Sequence, residues 1–306
     1  MKMLRLCLVA ALLGLFALPA GAESARAVIA FAQDTMKNDF RKAQVFEVRD
    51  AVAEHPDLSF VYSDAQGKTS LLIQQIEDFI RQKVDVLVVG TNDENAVVPV
   101  ISKAHKAGVK VIVLDRGVNT TDYTTFINSD NIQIGAIGGE YIAERLGGKG
   151  VALLFEGIQT ADVTQLRSKG FMDEVAKHKG IQVIKRTGNY LRKDAVIEME
   201  KLLADGVKVN AIFSESDSML SGVRVVLKRH GIDPSSIVMV GCDYVSEAQE
   251  AIRNDAQSGS VLFPLGGKMA VEVALKILAG EPVPKHVSIP VKLVTKENVD
   301  EVDPIF

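Results

Sequence analysis

Residues 110–117 read KVIVLDRG, an apolar run that ends in an acid, a base and a glycine. Four consecutive apolar residues, 111–114, bounded by polar turn residues, give the pattern of a parallel strand buried on both faces. In open α/β sheets, ligands bind just beyond the carboxyl ends of the strands. Asp115 and Arg116 stand at that end. A carboxylate accepts hydrogen bonds and a guanidinium donates several in a fixed fork, so the pair suits a small neutral molecule rich in hydroxyl groups. On this stretch alone a second reading stays open, a helix-capping Asp beside a surface Arg.

Working outward, strand and helix patterns alternate with little interruption. Strand-like runs at 27–32, 58–62, 85–90 and 124–127 are separated by helical periodicity over 40–54, 70–82 and 96–107. Asp130-Asn131 offers an N-cap for a helix through Arg145. The second half continues with strands at 151–155, 181–185, 211–213, 237–240 and 260–263, helices between them, and a last strand over 287–294. Such alternation predicts an α/β fold of Rossmann-like lobes, with parallel sheets flanked by helices.

Residues 84–118 and 209–245 echo one another: strand, polar turn with an acid (Asp93, Asp217), helix, glycine turn, strand, then Asp115 or Asp243. A shared βαβ unit accounts for much of this, so the echo supports two similar lobes without requiring a duplication. Asp93 and Asp217 read as helix caps. No Gly/Ser-rich or Pro-rich linker separates the halves.

The chain has 306 residues, 47% hydrophobic and 24% charged, a length that suggests about two domains. A net charge of −4 leaves no electrostatic footprint for nucleic acid. Lys2 and Arg5, the apolar run 6–18 and Ala20-Gly21-Ala22 form a signal peptide, expected to be cleaved after Ala22 and to send the mature chain to the periplasm. Cys7 leaves with it, and Cys242 alone cannot form an internal disulfide. The five histidines lack metal-ligand spacing, and neither a nucleophile elbow nor a P-loop occurs. The expectation is a protein without metal, cofactor or enzymatic activity. Gly135-Ala136-Ile137-Gly138-Gly139 lies inside a helix and reads as helix–sheet packing glycines rather than a dinucleotide loop.

What remains is polar chemistry at strand ends: Gln33-Asp34, Thr91-Asn92-Asp93 and Asp115-Arg116 in the first half, then Glu156, Asn189-Tyr190, Ser216-Asp217 and Asp243. Arg167, inside a helix, is open between solvent and cleft.

With these segments in their order (29–41 IAFAQDTMKNDFR, 109–117, 126–135 FINSDNIQIG, 165–171 QLRSKGF, 213–219 and 240–243 VGCD), the chain resembles the periplasmic sugar-binding proteins of the ribose and galactose type, the solute receptors of ABC importers. The resemblance covers essentially the whole mature chain. It implies two lobes joined by three crossings near Ser129-Asp130, Leu262-Phe263 and Pro290, so that 23–129 with 263–290 forms one lobe and 130–262 with 291–306 the other. It implies ligand contacts from Asp34, Asn38, Phe40, Arg41, Asp115 and Arg116 on one side and Arg167, Tyr190, Ser216 and Asp243 on the other, around a monosaccharide. Partners would be the permease of an ABC importer or, for a sensory receptor, a chemoreceptor or sensor kinase; a monomer is expected. Ser216 and Leu262 replace the Asn and Gln of ribose binders, Asp34 a small hydroxyl residue and Arg41 an aromatic. The FAQ…FR pattern of 31–41 leans toward the galactofuranose-type branch, so the identity of the sugar does not carry over.

Overall fold

The computed structural model describes residues 26–306; the signal peptide read over 1–22, with Cys7, lies outside them. The chain first builds β1 (Ala27–Gln33), α1 (Asp39–Ala53), β2 (Leu58–Asp64), α2 (Thr69–Gln82), β3 (Val86–Gly90), α3 (Val98–Lys106), β4 (Lys110–Leu114) and β5 (Thr125–Asn128). It then crosses to α4 (Asn131–Arg145), β6 (Lys149–Glu156), α5 (Asp162–Val175), β7 (Gly180–Thr187), α6 (Arg192–Ala204), β8 (Ala211–Ser214), α7 (Asp217–Arg229), β9 (Val238–Asp243), α8 (Ser246–Arg253) and β10 (Gly259–Leu262). Finally α9 (Gly267–Leu278) and β11 (His286–Ser288) return to the first sheet, and β12 (Lys292–Thr295) to the second.

The two six-stranded sheets share one plan: β2-β1-β3-β4-β5-β11 and β7-β6-β8-β9-β10-β12. They differ at the last edge, where β11 runs parallel to β5 and β12 antiparallel to β10. The unbroken apolar runs are the reason the strands sit inside. Ile29, Phe31, Val86, Val88, Ile112 and Leu114 face α1 and α9, while Ala30, Ala32, Leu87, Val89, Val111 and Val113 face α2 and α3. The second sheet is covered the same way, by α4 and α5 on one face and by α6 and α7 on the other.

Three expectations change. The single strand read over 287–294 is two strands in different sheets, because Pro290 lacks the N–H a ladder needs and the chain passes between lobes there. Of the glycine run, only Gly138 meets the sheet, at the Phe213 ring; Gly135 and Gly139 lie against α5, and Gly170 of α5 lies against the Ile132 carbonyl. A Cβ on Gly135 would come within 2.0 Å of the Arg167 carbonyl oxygen, so the run chiefly lets two helices approach backbone to backbone. Asp217 is not a cap. Ser216 caps α7 through the Met219 N–H, and Asp217 is buried, accepting from Gln257, Ser260 and the Tyr244 N–H. Asp93 does accept the N–H groups of Asn95 and Ala96 ahead of α3.

Candidate functional site

The carboxyl ends of the two sheets face one another across a tight chamber with about 20 Å³ of open space. Nine of the ten residues expected at the site line it: Asn38, Phe40, Arg41, Asp115, Arg116, Arg167, Tyr190, Ser216 and Asp243. Asp34 stands behind them as the ion-pair partner of Arg116.

The first lobe presents paired charges. Asn38 caps α1, which fixes the helix start and aims Phe40 and Arg41 into the chamber. Arg41 pairs with Asp115 and donates to Gln44 Oε1 at 3.1 Å; Gln44 in turn donates to the Leu265 carbonyl at 2.8 Å. Arg116 donates to Asp34 Oδ2 and to the Thr91 carbonyl, both at 3.1 Å. Burial, together with the nearby Arg41 charge, draws the Arg116 guanidinium below its ordinary value.

In the second lobe the cations and acids are held by neutral groups. Arg167 donates through Nε to Asn131 Oδ1 and through Nη1 to the Glu215 carbonyl, both at 2.8 Å, and lies 4.6 Å from the centre of the Phe263 ring. Phe263 stacks on Phe40 at 5.2 Å. Tyr190 has its hydroxyl 2.7 Å from Thr164 Oγ1 and 3.3 Å from Glu215 Oε2. Asp243 is buried but makes no ion pair among the described residues, and burial pushes its carboxyl well above the usual carboxylate range.

Two observations mark the chamber as more than the meeting of two cores. Of seven buried side-chain atoms without a hydrogen-bond partner among the described residues, Asp115 Oδ1 and Arg116 Nε belong to chamber-lining residues, Asp34 Oδ1 to the ion-pair partner of Arg116 and Asp162 Oδ1 to the acid that bonds the Gly117 N–H. Each such group costs about 1–3 kcal/mol. The strand-end residues also adopt left-handed backbone: φ is +69° at Asp115, +59° at Tyr190 and +106° at Asp243. Strain of this kind gathers at sites of function.

Across the mouth the lobes bond directly. Asn38 Nδ2 donates to the Tyr190 carbonyl at 2.6 Å, the Gly117 N–H to Asp162 Oδ2 at 2.8 Å, and Thr160 Oγ1 to the Asn92 carbonyl at 2.7 Å. Arg116 also packs over the Tyr190 ring at 5.3 Å. Among the described residues no cluster of three or more His, Cys, Asp or Glu side chains could hold a metal ion.

Sequence reasoning missed Phe263, Val163, Asp162 and Glu215. Phe263 follows Leu262, and period-two alternation puts the two on opposite sides: Leu262 packs beside Tyr244 and Val294 while Phe263 enters the chamber. Asp162 opens α5 and bonds the opposite lobe, which no local pattern announces. Glu215 sits between a strand end and a cap, the place where a solvated acid is the ordinary expectation.

The comparisons agree with this geometry. The family model described as periplasmic binding protein domain matches residues 29–282. The ribose import binding protein of Bacillus subtilis is 30% identical over 247 residues, 80% of each chain. A solved ABC transporter solute-binding protein from Bacillus halodurans, with bound myo-inositol, superposes with a TM-score of 0.86 at 26% identity over 91% of this chain and 98% of that one. The fructose-binding periplasmic domain of a hybrid two-component system gives 0.83 at 25% identity, over 90% and 92%.

Proposed function

The chain belongs to the periplasmic binding protein family, and from that premise we propose that it is an exported receptor that closes around one monosaccharide and delivers it to the permease of an ABC importer. The observation that carries the reading is the placement of Asp115 and Asp243 at matching strand ends of the two lobes, facing one small chamber with three arginines. Acceptors and fork donors on both sides, with the Phe40–Phe263 stack between them, complement a ring that carries hydroxyls at its rim and C–H groups on its faces.

In this reading residues 1–22 are removed on export, and N-terminal sequencing finds Glu23 first. Residues 23–129 with 263–290 move as one lobe against 130–262 with 291–306, as hinge closure in this architecture requires. The bonds from Asn38 to Tyr190 and from Gly117 to Asp162 then belong to the closed state.

The test is a thermal-shift screen of pentoses, hexoses in both ring forms and cyclitols, followed by solution scattering. A sugar at 100 times its Kd adds about 2.7 kcal/mol, and the radius of gyration falls when it binds. A screen in which no sugar or cyclitol raises the melting temperature overturns the proposal. A second reading, a sensory receptor with the same ligand chemistry, is favoured by one observation, the likeness to a two-component periplasmic domain. Reconstitution with the candidate permease separates the two: sugar-stimulated ATP hydrolysis marks transport, and its absence alongside sensor activation marks sensing.

A further inference from the structure

Behind Tyr190 lies a buried pair of acids that the sugar reading does not use. Ser168 Oγ is 2.9 Å from Glu156 Oε1 and 2.8 Å from Glu215 Oε1. A serine hydroxyl carries one proton, so it can donate to only one of the two carboxylates. A second oxygen at that distance repels it unless that carboxyl brings a proton of its own. Glu156 already has the Lys185 ammonium at 2.9 Å. Glu215 is fully buried, and no cation lies within ion-pair distance of its carboxylate among the described residues. The bonding pattern therefore puts the extra proton on Glu215 Oε1, which donates to Ser168 Oγ, which donates to Glu156. Glu215 Oε2 then accepts the Gly157 N–H at 2.9 Å and faces the Tyr190 hydroxyl.

We propose that Glu215 is a positioning residue, kept as a neutral acid, that sets the Tyr190 ring in the ligand chamber. Tyr190 needs such support because its backbone and that of Asn189 are both left-handed. The Gly157–Glu215–Tyr190 bonds tie that strained turn to the ends of β6 and β8. Gly157 is required there, since a Cβ would fall within 1.9 Å of the Tyr190 ring.

The groups facing Glu215 are Glu156 from β6, Arg167 and Ser168 from α5, Tyr190 from the turn after β7, and Cys242 from β9. Lys185 stands beyond Glu156. Burial is the largest influence and raises the Glu215 carboxyl to about 7, with the Gly157 N–H and Arg167 opposing it. Ionisation above that pH puts a second negative charge on the bridging serine and loosens the hold on Tyr190.

The inference rests on the sugar-site reading only for the role it gives Tyr190, and its test uses sugar-free protein, so either can fail without the other. The chain has no Trp, which leaves near-ultraviolet circular dichroism to report the tyrosines. A titration from pH 5 to 9 should show one step near pH 7 that is absent from Glu215→Gln, whose amide keeps a donor and an acceptor, and from Tyr190→Phe. Lys185→Met, a change at a half-exposed side chain, serves if Glu215→Gln does not fold. With the ammonium gone, Glu156 faces Glu215 uncompensated and the step moves to higher pH. A flat wild-type titration, an unchanged step in Glu215→Gln, or an unmoved step in Lys185→Met overturns the proposal.

Discussion

The two lobes repeat one strand order, yet they hold their acids in opposite ways. Asp115 directly follows β4 and Asp243 ends β9, equivalent strands of the two sheets, and both backbones are left-handed there. Asp115 is ion-paired to Arg41, and its neighbour Arg116 to Asp34. Asp243 has no such partner, and Arg167 across from it rests on Asn131 and a carbonyl. Repetition of the fold thus fixes where the polar groups stand, and the sequence around each strand end decides whether they arrive neutralised. The first lobe neutralises its acids with arginines, while leaving Asp34 Oδ1, Asp115 Oδ1 and Arg116 Nε without hydrogen-bond partners among the described residues. The second leaves an acid that a hydroxyl donor can satisfy.

This contrast predicts opposite effects from equivalent substitutions. Asp115→Ala strands the buried Arg41 charge, and breaking a buried pair costs about 3–5 kcal/mol. Asp243→Ala removes a buried acid that has no partner, so sugar-free stability should hold or rise. Chemical denaturation of both variants checks this, and equal losses would erase the distinction between the lobes.

The second lobe should also carry the pH dependence of stability. Burial raises Glu215 from 4.5 to about 7 and Asp217 from 3.8 to about 6. A folded-state value above the unfolded one means that the native state holds the extra proton. Stability is then greatest below the unfolded values and declines as pH rises, through about 6 for Asp217 and about 7 for Glu215. The Glu215 change corresponds to about 3 kcal/mol. Melting temperatures across pH 4–8 should fall less steeply in Glu215→Gln than in wild type.

A smaller effect is expected where α4 meets α5. Gly135→Ala forces backbone apart at the Arg167 carbonyl, an overpacking cost of about 1–3 kcal/mol, and it displaces Arg167 as well. Urea midpoints and sugar affinity should fall together. Asp93→Ala, the loss of a turn cap outside the chamber, should cost only about 1 kcal/mol and leave affinity unchanged.

Most of the architecture could be read from periodicity, because strands buried on both faces show as plain apolar runs and the helices between them as 3.6-residue patterns. The errors came where identical local sequence serves different long-range partners. Asp217 looks like Asp93, an acid after a strand and before a helix. What separates them is Gly241, whose missing side chain leaves room for the Asp217 carboxylate inside the second sheet. Asp34, Asp115 and Asp243 were legible as strand-end acids, but which of them meets an arginine depends on long-range packing, Arg41 of α1 reaching Asp115 and Arg116 after β4 reaching Asp34. Arg167 was undecidable from its helix alone, and Asp162 and Glu215 act across distances that spacing does not encode.

Asp115→Ala is a compromised probe of ligand contact, since it also breaks an ion pair; Asp243→Ala is the clean one. Calorimetric titration of that variant, with the sugar that stabilises wild type, tests the central claim that the ligand is gripped from both lobes. A buried sugar hydroxyl left without its partner costs about 1–3 kcal/mol, so affinity should drop about 5- to 150-fold with the fold intact. Wild-type affinity in a well-folded Asp243→Ala protein would contradict it.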